Sequence, residues 1–453
     1  MKKIVNILII ILICLNFSFG EKAAAITVNK VIADSGINKS AVSVSVKDVE
    51  TGKVIFELNE KQPMIPASTL KLITFSAAYD TLGEDYEFKT SLYKTKNNEL
   101  ILKLGADPYL KTGELNDLIK EAKAKNIIEP KAFFIDDSIL DNNEWGEGWQ
   151  WDDDLNPLMP KFSSYNLDGN MLSVVINPNA KGSPATIYTT KFYPTTFMNL
   201  VVTDAPDKVT FIRQNHISPD MITVEGSVSK TITEKIPVNN PKRYFILRLE
   251  EAIRNEKIEF YDKFKQKKLP KDNIYLVKEI KHTLPIARHD IITNSSNFVA
   301  ETVYKIAGGK FANDTGSQEN SLKMFNEFCK KEGLDASDIR VVDGSGTSKN
   351  NIMTADFMTS FLINRTKKDH FKELKNALPT PGEGTLSTRM LYFKDNLRAK
   401  TGTLSDVSCL AGYITTRNGK LYAFDIMIND PKTKNADKKT LEEHILRAIH
   451  SSY

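Results

Sequence analysis

Pro66-Ala67-Ser68-Thr69-Leu70-Lys71-Leu72-Ile73-Thr74-Phe75-Ser76-Ala77-Ala78-Tyr79 sets a hydroxyl and an amine three residues apart at the head of an almost wholly apolar run. The run predicts a buried helix that stops near Leu82-Gly83, where glycine accepts a left-handed cap. A serine in the first turn lies beside unpaired backbone N–H groups and the positive end of the helix dipole. Lys71 at i+3 falls on the same face, within reach of the hydroxyl. Taken alone, the pair reads as a helix N-cap followed by a solvated lysine. The apolar residues around Lys71 make solvation harder, and the pair becomes a candidate nucleophile and base.

Two further marks follow in order, Ser295-Ser296-Asn297 and Lys400-Thr401-Gly402. Each pattern is weak by itself. At average composition S-x-x-K arises by chance about twice in such a chain, S-x-N about once and K-T-G ~0.1 times. Decoys are present at Ser91 to Lys94, Ser227 to Lys230, Lys111-Thr112-Gly113, Ser164-Tyr165-Asn166 and Ser348-Lys349-Asn350. Local pattern separates them. Lys400 lies in Leu397 to Leu404, ahead of two apolar runs joined by Arg417-Asn418-Gly419-Lys420, which predicts a strand and then a type I′ hairpin. Lys111 instead precedes the helical spacing Leu115, Leu118, Ile119, Ala122. Ser295 opens a helix-like stretch, Phe298 to Tyr304, where a capping box competes with a functional reading. Its order between the other two marks decides for function.

Together the three marks resemble the S-x-x-K, S-x-N and K-T-G triplet of penicillin-recognising acyl-serine enzymes. Across essentially the whole mature chain the sequence is similar to the D-alanyl-D-alanine carboxypeptidase/endopeptidase family, the class C low-molecular-mass penicillin-binding proteins of the penicillin-binding protein 4 type. Gly105-Ala106-Asp107-Pro108, Gly148-Trp149-Gln150-Trp151-Asp152-Asp153, Phe192 to Thr196, Asp343-Gly344-Ser345-Gly346, and Leu378-Pro379 through Gly384-Thr385-Leu386 carry the rest of the resemblance. The long interval from Ser68 to Ser295 is where this family holds a large insertion. That interval separates the chain from class A β-lactamases and smaller DD-peptidases.

The resemblance implies an α/β (α+β) transpeptidase/β-lactamase-like domain, with an antiparallel sheet, flanking helices and an insert that contains a nested β-rich domain. Expected boundaries are a signal peptide at 1–20, the penicillin-binding domain at 21–89 plus 283–453, the insert at 90–177 plus 249–282, and the nested domain at 178–248. Within the last, Val209 to Ile212 and Met221 to Val224 read as strands. Val42 to Val46 and Val54 to Phe56 predict a hairpin ahead of the serine helix. Leu441, Ile445, Ala448 and Ile449 predict an amphipathic C-terminal helix packed on the sheet, a membrane-surface anchor being the lesser alternative.

Composition narrows the remaining classes. Lys2 and Lys3, the apolar Ile4 to Leu15 and Ser18-Phe19-Gly20 form a signal-peptide pattern with cleavage before Glu21. That apolar run is short for a membrane span, and no later stretch qualifies, so no stable span is expected. A formal net charge of +4 gives no reason to invoke nucleic acid. Cys329 and Cys409 are expected as unpaired core thiols. The six histidines show no metal-ligand spacing, and no nucleotide loop appears, so no metal or cofactor is expected.

By the resemblance, Ser68 attacks the carbonyl between two D-alanines of a peptidoglycan stem peptide or cross-link, and β-lactams acylate the same hydroxyl. Lys71 is the base. An ordinary lysine is neutral in only about 4 molecules per 10,000 at pH 7. Depressing it by ~3 units costs about 4 kcal/mol, within reach of burial and a nearby cation, with Lys400 expected as that cation. Ser295 relays a proton to the leaving amine, and Asn297 holds the substrate amide. Lys400 and Thr401 hold the carboxylate, Gly402 belongs to the same substrate-binding strand, and backbone N–H groups of Ser68 and Thr403 form an oxyanion hole. Asp153 matches an acid that meets a diamino-acid side chain, a solvated acidic loop at Asp152-Asp153-Asp154 being the alternative, and Lys349 stands where the family has an arginine. Lysine lacks the planar fork that grips a carboxylate. A β-lactamase and a non-catalytic wall-binding protein stay open as alternatives.

Overall fold

The computed structural model describes residues 27–452. The expected signal peptide lies outside them. The described chain forms two compact units, one of residues 27–77, 288–296 and 322–452, the other of residues 78–287 and 297–321.

The first unit is built on a five-stranded antiparallel sheet in the order Leu397–Leu404, Val407–Thr415, Leu421–Asn429, Val42–Asp48, Val54–Leu58. The N-terminal hairpin thus joins three strands from the other end of the chain, with Val42 opposite Ile428. Alternation divides the faces. Val42, Val44 and Val46 pack with Leu441, Ile445, Leu446 and Ile449 of the helix Asn435–Ser452, so the C-terminal helix belongs to the core. Ser45 faces the other way, where its Oγ shares a hydrogen bond of 2.9 Å with Thr359 of the helix Ala355–Arg365. Across the sheet Lys400 opposes Ala411, Ala411 opposes Asp425 and Asp425 opposes Ser45. Directly opposed residues share a face. Lys400 therefore points away from the C-terminal helix, while its neighbour Ala399 joins the core beneath that helix.

One expectation needs correcting. The hairpin at Asn418-Gly419 is not a two-residue type I′ turn. Strands end at Thr415 and resume at Leu421, Gly419 N–H bonds Thr416 O at 3.0 Å, and only Gly419 has a positive φ, of 77°. Type I′ needs positive φ at both central residues; an ordinary turn with glycine in the left-handed position fits the longer loop.

The second unit carries a five-stranded sheet in the order Lys265–Gln266, Phe133–Asp136, Leu100–Lys103, Glu87–Thr95, Ile274–Thr283. Two three-stranded sheets accompany it. One joins Thr196–Thr203, Met221–Val228 and Lys208–Arg213, the strands expected around Val209 and Met221; the other joins Ile232–Pro237, Met171–Asn177 and Thr186–Thr189. The helices Thr112–Ala124 and Pro241–Asn255 complete a core whose buried members all lie between Leu92 and Val277. The helix Asn297–Ala312 also belongs to this unit.

Candidate active site

Ser68 sits in a tight 3₁₀ turn, Ala67–Leu70, that runs into the helix Lys71–Leu82. The helix ends as expected, with Gly83 at φ 82° and its N–H on Tyr79 O at 2.9 Å. The turn holding Ser68 is tighter than the α-turn expected from sequence, and packing accounts for it. Ala67 has a φ of 47°, a region that few residues with a Cβ adopt. Two glycines make room for it. A Cβ on Gly346 would lie 2.0 Å from Ala67 O, and one on Gly402 would lie 2.8 Å from Pro66 O and 3.0 Å from Ser68 N. The K-T-G strand passes directly against the backbone of the serine turn because Gly402 has no side chain.

Lys71 is fully buried, and its Nζ donates to Ser68 Oγ at 2.9 Å and to Ser345 O at 2.7 Å. Lys400 is fully buried as well. Its Nζ donates to Ser295 Oγ at 2.7 Å and to Thr401 O at 3.1 Å. Ser295 is held at φ 62°, so its hydroxyl meets a lysine rather than capping the following helix. Burial, followed by the charge on Lys71, pushes Lys400 well below the ordinary lysine range. The two buried amines lie close enough for charge on Lys71 to disfavour charge on Lys400.

The structure thus brings together Ser68, Lys71, Ser295, Lys400, Thr401 and Gly402 in the first unit, with Thr403 exposed at the edge of the same strand. Lys349 is also in this unit. Its ammonium donates to Ser405 Oγ and Asp406 Oδ2, both at 2.9 Å, and the pair is substantially exposed. Asn297 opens the helix of the second unit, where its Nδ2 donates to Leu158 O at 3.0 Å. Asp153 lies in a short turn, Trp151–Asp153, of that unit. Its neighbour Asp154 is the acid engaged by Arg213 Nε, at 2.7 Å, whereas no side-chain ion pair of Asp153 occurs among the described residues. Ser345 O, on Lys71, was not signalled by any side-chain pattern. The only sequence hint was the Asp343-Gly344-Ser345-Gly346 turn.

The decoys are structural. Ser91 donates to Glu279 at 2.6 Å from within a strand, Ser164 to Asp137 O at 2.7 Å, and Ser227 to Pro206 O at 2.6 Å. Lys111 precedes the helix Thr112–Ala124, and its N–H meets Glu114 Oε2 at 2.9 Å. Cys329 and Cys409 are free and buried. Among the described residues no cluster of three or more His, Cys, Asp or Glu could hold a metal ion, and no helix is long and apolar enough to cross a membrane.

Residues 24–450 match the profile of the D-Ala-D-Ala carboxypeptidase 3 (S13) family. The chain belongs to that family. Membership makes it a hydrolase, a serine-type carboxypeptidase. Among S13-like relatives, the D-alanyl-D-alanine carboxypeptidase DacB of Haemophilus influenzae is 25% identical over 433 residues, covering 91% of this chain and 90% of the relative. The D-alanyl-D-alanine carboxypeptidase of an Actinomadura species is 24% identical over 432 residues, covering 89% and 80%. The crystal structure of penicillin binding protein 4 (dacB) from Haemophilus influenzae matches with a TM-score of 0.81 at 24% identity, over 90% of this chain and 96% of the other. A second structure of that protein, complexed with a β-lactam, matches with a TM-score of 0.76 at 23% identity, over 90% and 96%. The S13 chain therefore shares the penicillin-binding protein 4 fold.

Proposed function

We propose that this S13 enzyme removes the terminal D-alanine from peptidoglycan stem peptides, and opens cross-links of the same chemistry, through an acyl-enzyme on Ser68. The contact that supports this best is Lys71 Nζ on Ser68 Oγ at 2.9 Å, in a fully buried setting. Ser68 Oγ attacks the carbonyl carbon, and its proton passes to Lys71. The tetrahedral adduct collapses with cleavage of the C–N bond, and the departing amine takes a proton through Ser295. Water then attacks the ester and frees Ser68. The substrate carboxylate, at Lys400 and Thr401, offsets the burial and the Lys71 charge that act against a charged Lys400. A charged Lys400 in turn drives the proton off Lys71, so binding readies the base.

Labelled penicillin should form an ester on Ser68, located by peptide mass mapping. Undiminished labelling of Ser68→Ala, or attachment at Ser295, overturns the assignment. Slow release of the adduct separates a peptidase from a β-lactamase, and absence of labelling would leave only a wall-binding role. Export by residues 1–20 to the periplasm or another extracytoplasmic space completes the reading, with Glu21 as the mature N-terminus.

Asp153 is proposed to receive the free side-chain amine of a diamino acid in the stem peptide. Its carboxylate forms no ion pair among the described residues, which supports that role. Lys349 would contribute weakly, because a substrate carboxylate has to compete with Asp406. Asp153→Asn should reduce hydrolysis of peptides with free diaminopimelate or lysine side chains about tenfold, the worth of one charged hydrogen bond. Amine-blocked peptides should be unaffected. Equal rates on free and blocked peptides in the wild type would remove this role.

A further inference from the structure

Lys71 needs more than proximity to act as a base. A neutral amine has one lone pair and two N–H bonds, and the lone pair must face the Ser68 hydroxyl. The hydrogen bond from Lys71 Nζ to Ser345 O, at 2.7 Å, fixes one N–H and with it the orientation of the amine. The question becomes what holds a backbone carbonyl in place.

Asp343 does. It is fully buried, two residues before Ser345, and its carboxylate accepts Gly346 N–H at 2.7 Å, Ser348 N–H at 2.7 Å and Asn351 Nδ2 at 2.8 Å. Asn351 extends the clamp, donating to Ser348 O at 2.9 Å and accepting Val342 N–H at 2.8 Å. On the helix side Thr74 Oγ1 donates to Gly344 O at 2.7 Å, tying the residue before Ser345 to the helix that carries Lys71. Gly346, at φ 79°, lets the loop reach the Ala67 carbonyl in the serine turn. These bonds bend the chain around Ser345, whose carbonyl meets Lys71.

We propose that Asp343 is a positioning residue for acylation, acting through the Ser345 carbonyl to orient the Lys71 amine toward Ser68. The proposal rests on the reading of Lys71 as the base. A shift of about 1 Å at a reacting group costs roughly 100-fold in rate. The experiment follows acylation by a chromogenic β-lactam in Asp343→Asn, with each rate constant normalised to the number of titratable sites. The maximal acylation rate constant should fall roughly 100-fold, while the half-saturating concentration stays within about threefold. Asn351→Ala, a milder cut in the same clamp, should fall about tenfold and serves if Asp343→Asn does not fold. A merely structural role predicts fewer titratable sites and a lower melting temperature with an unchanged rate constant per site. That result in a folded variant overturns the proposal. Lys71→Ala keeps the two ideas distinguishable: if it acylates normally, the reading of the base fails; if it is dead while both clamp variants acylate normally, only the role of Asp343 fails.

Discussion

At Lys400, burial and the neighbouring Lys71 ammonium act in one direction, and both favour losing the proton. Under the proposed role, a carboxylate held by Lys400 and Thr401 offsets both effects, so the lysine's charge and substrate binding are linked. Lys400→Ala should therefore abolish peptidase turnover, by at least ~100-fold, with the fold retained by circular dichroism. Lys111→Ala, in the decoy motif, should stay within about ±0.5 kcal/mol in stability and leave turnover unchanged. Equal losses would mean that the wrong K-T-G has been chosen. Asp425, on the same sheet face, poses the opposite problem. Burial drives it well above the usual carboxylate range, the Ile426 N–H acts against this, and the charge of Glu442 adds to it. Neither carboxyl oxygen has a hydrogen bond of good geometry among the described residues. The folded carboxyl keeps its proton to higher pH than the unfolded one, so stability falls as pH rises from about 4. Asp425→Asn should add about 1–3 kcal/mol at pH 7 in chemical denaturation, and the gain should vanish below pH 4.

Single elements show why some of the site was legible and some was not. The S-x-x-K spacing could be read because i and i+3 share a helical face whatever the rest of the chain does, and the tighter 3₁₀ turn preserves that. The direction of Lys400 could be read from strand alternation. Ser345 O could not, because a carbonyl carries no residue identity and its position depends on a clamp closed by Asn351, eight residues from Asp343. Nor could the bond from Asn297 to Leu158 O, which joins residues 139 apart in sequence. The turn at Gly419 is longer than type I′ because Asn-Gly marks a hairpin without fixing its loop length. Gly402 carries the sharpest consequence at this scale. Its missing side chain lets the K-T-G strand touch the serine turn, and a methyl group there would sit 2.8 Å from Pro66 O. Gly402→Ala should slow acylation by roughly 10- to 100-fold through displacement of the strand, with little change in melting temperature. An unchanged acylation rate would show that the strand and turn tolerate separation.

For the whole molecule, the decisive pairing is between the strands Glu87–Thr95 and Ile274–Thr283. They run antiparallel, and Thr283 lies opposite Glu87, so the chain enters and leaves the intervening segment at neighbouring points. A segment whose ends lie side by side needs no crossing connection. Its core agrees with that geometry, since the buried residues from Leu92 to Val277 pack with one another. The gap between Ser68 and Ser295 points to an insert only through the family resemblance, whereas the short β-branched runs predict strands directly, and these stand at Lys208–Arg213 and Met221–Val228. The return strand was harder to see, because Ile274–Thr283 mixes three lysines or histidines with its apolar residues and lies at the edge of its sheet. If the insertion is an independent folding unit, residues 84–285 expressed alone should unfold in one cooperative thermal transition and give dispersed amide resonances. The fragment lacks Ser68, Ser295 and Lys400, so it should take up no labelled penicillin. A fragment that binds hydrophobic dye and melts without a transition would show that the insert depends on the rest of the chain, despite a core closed within its own sequence.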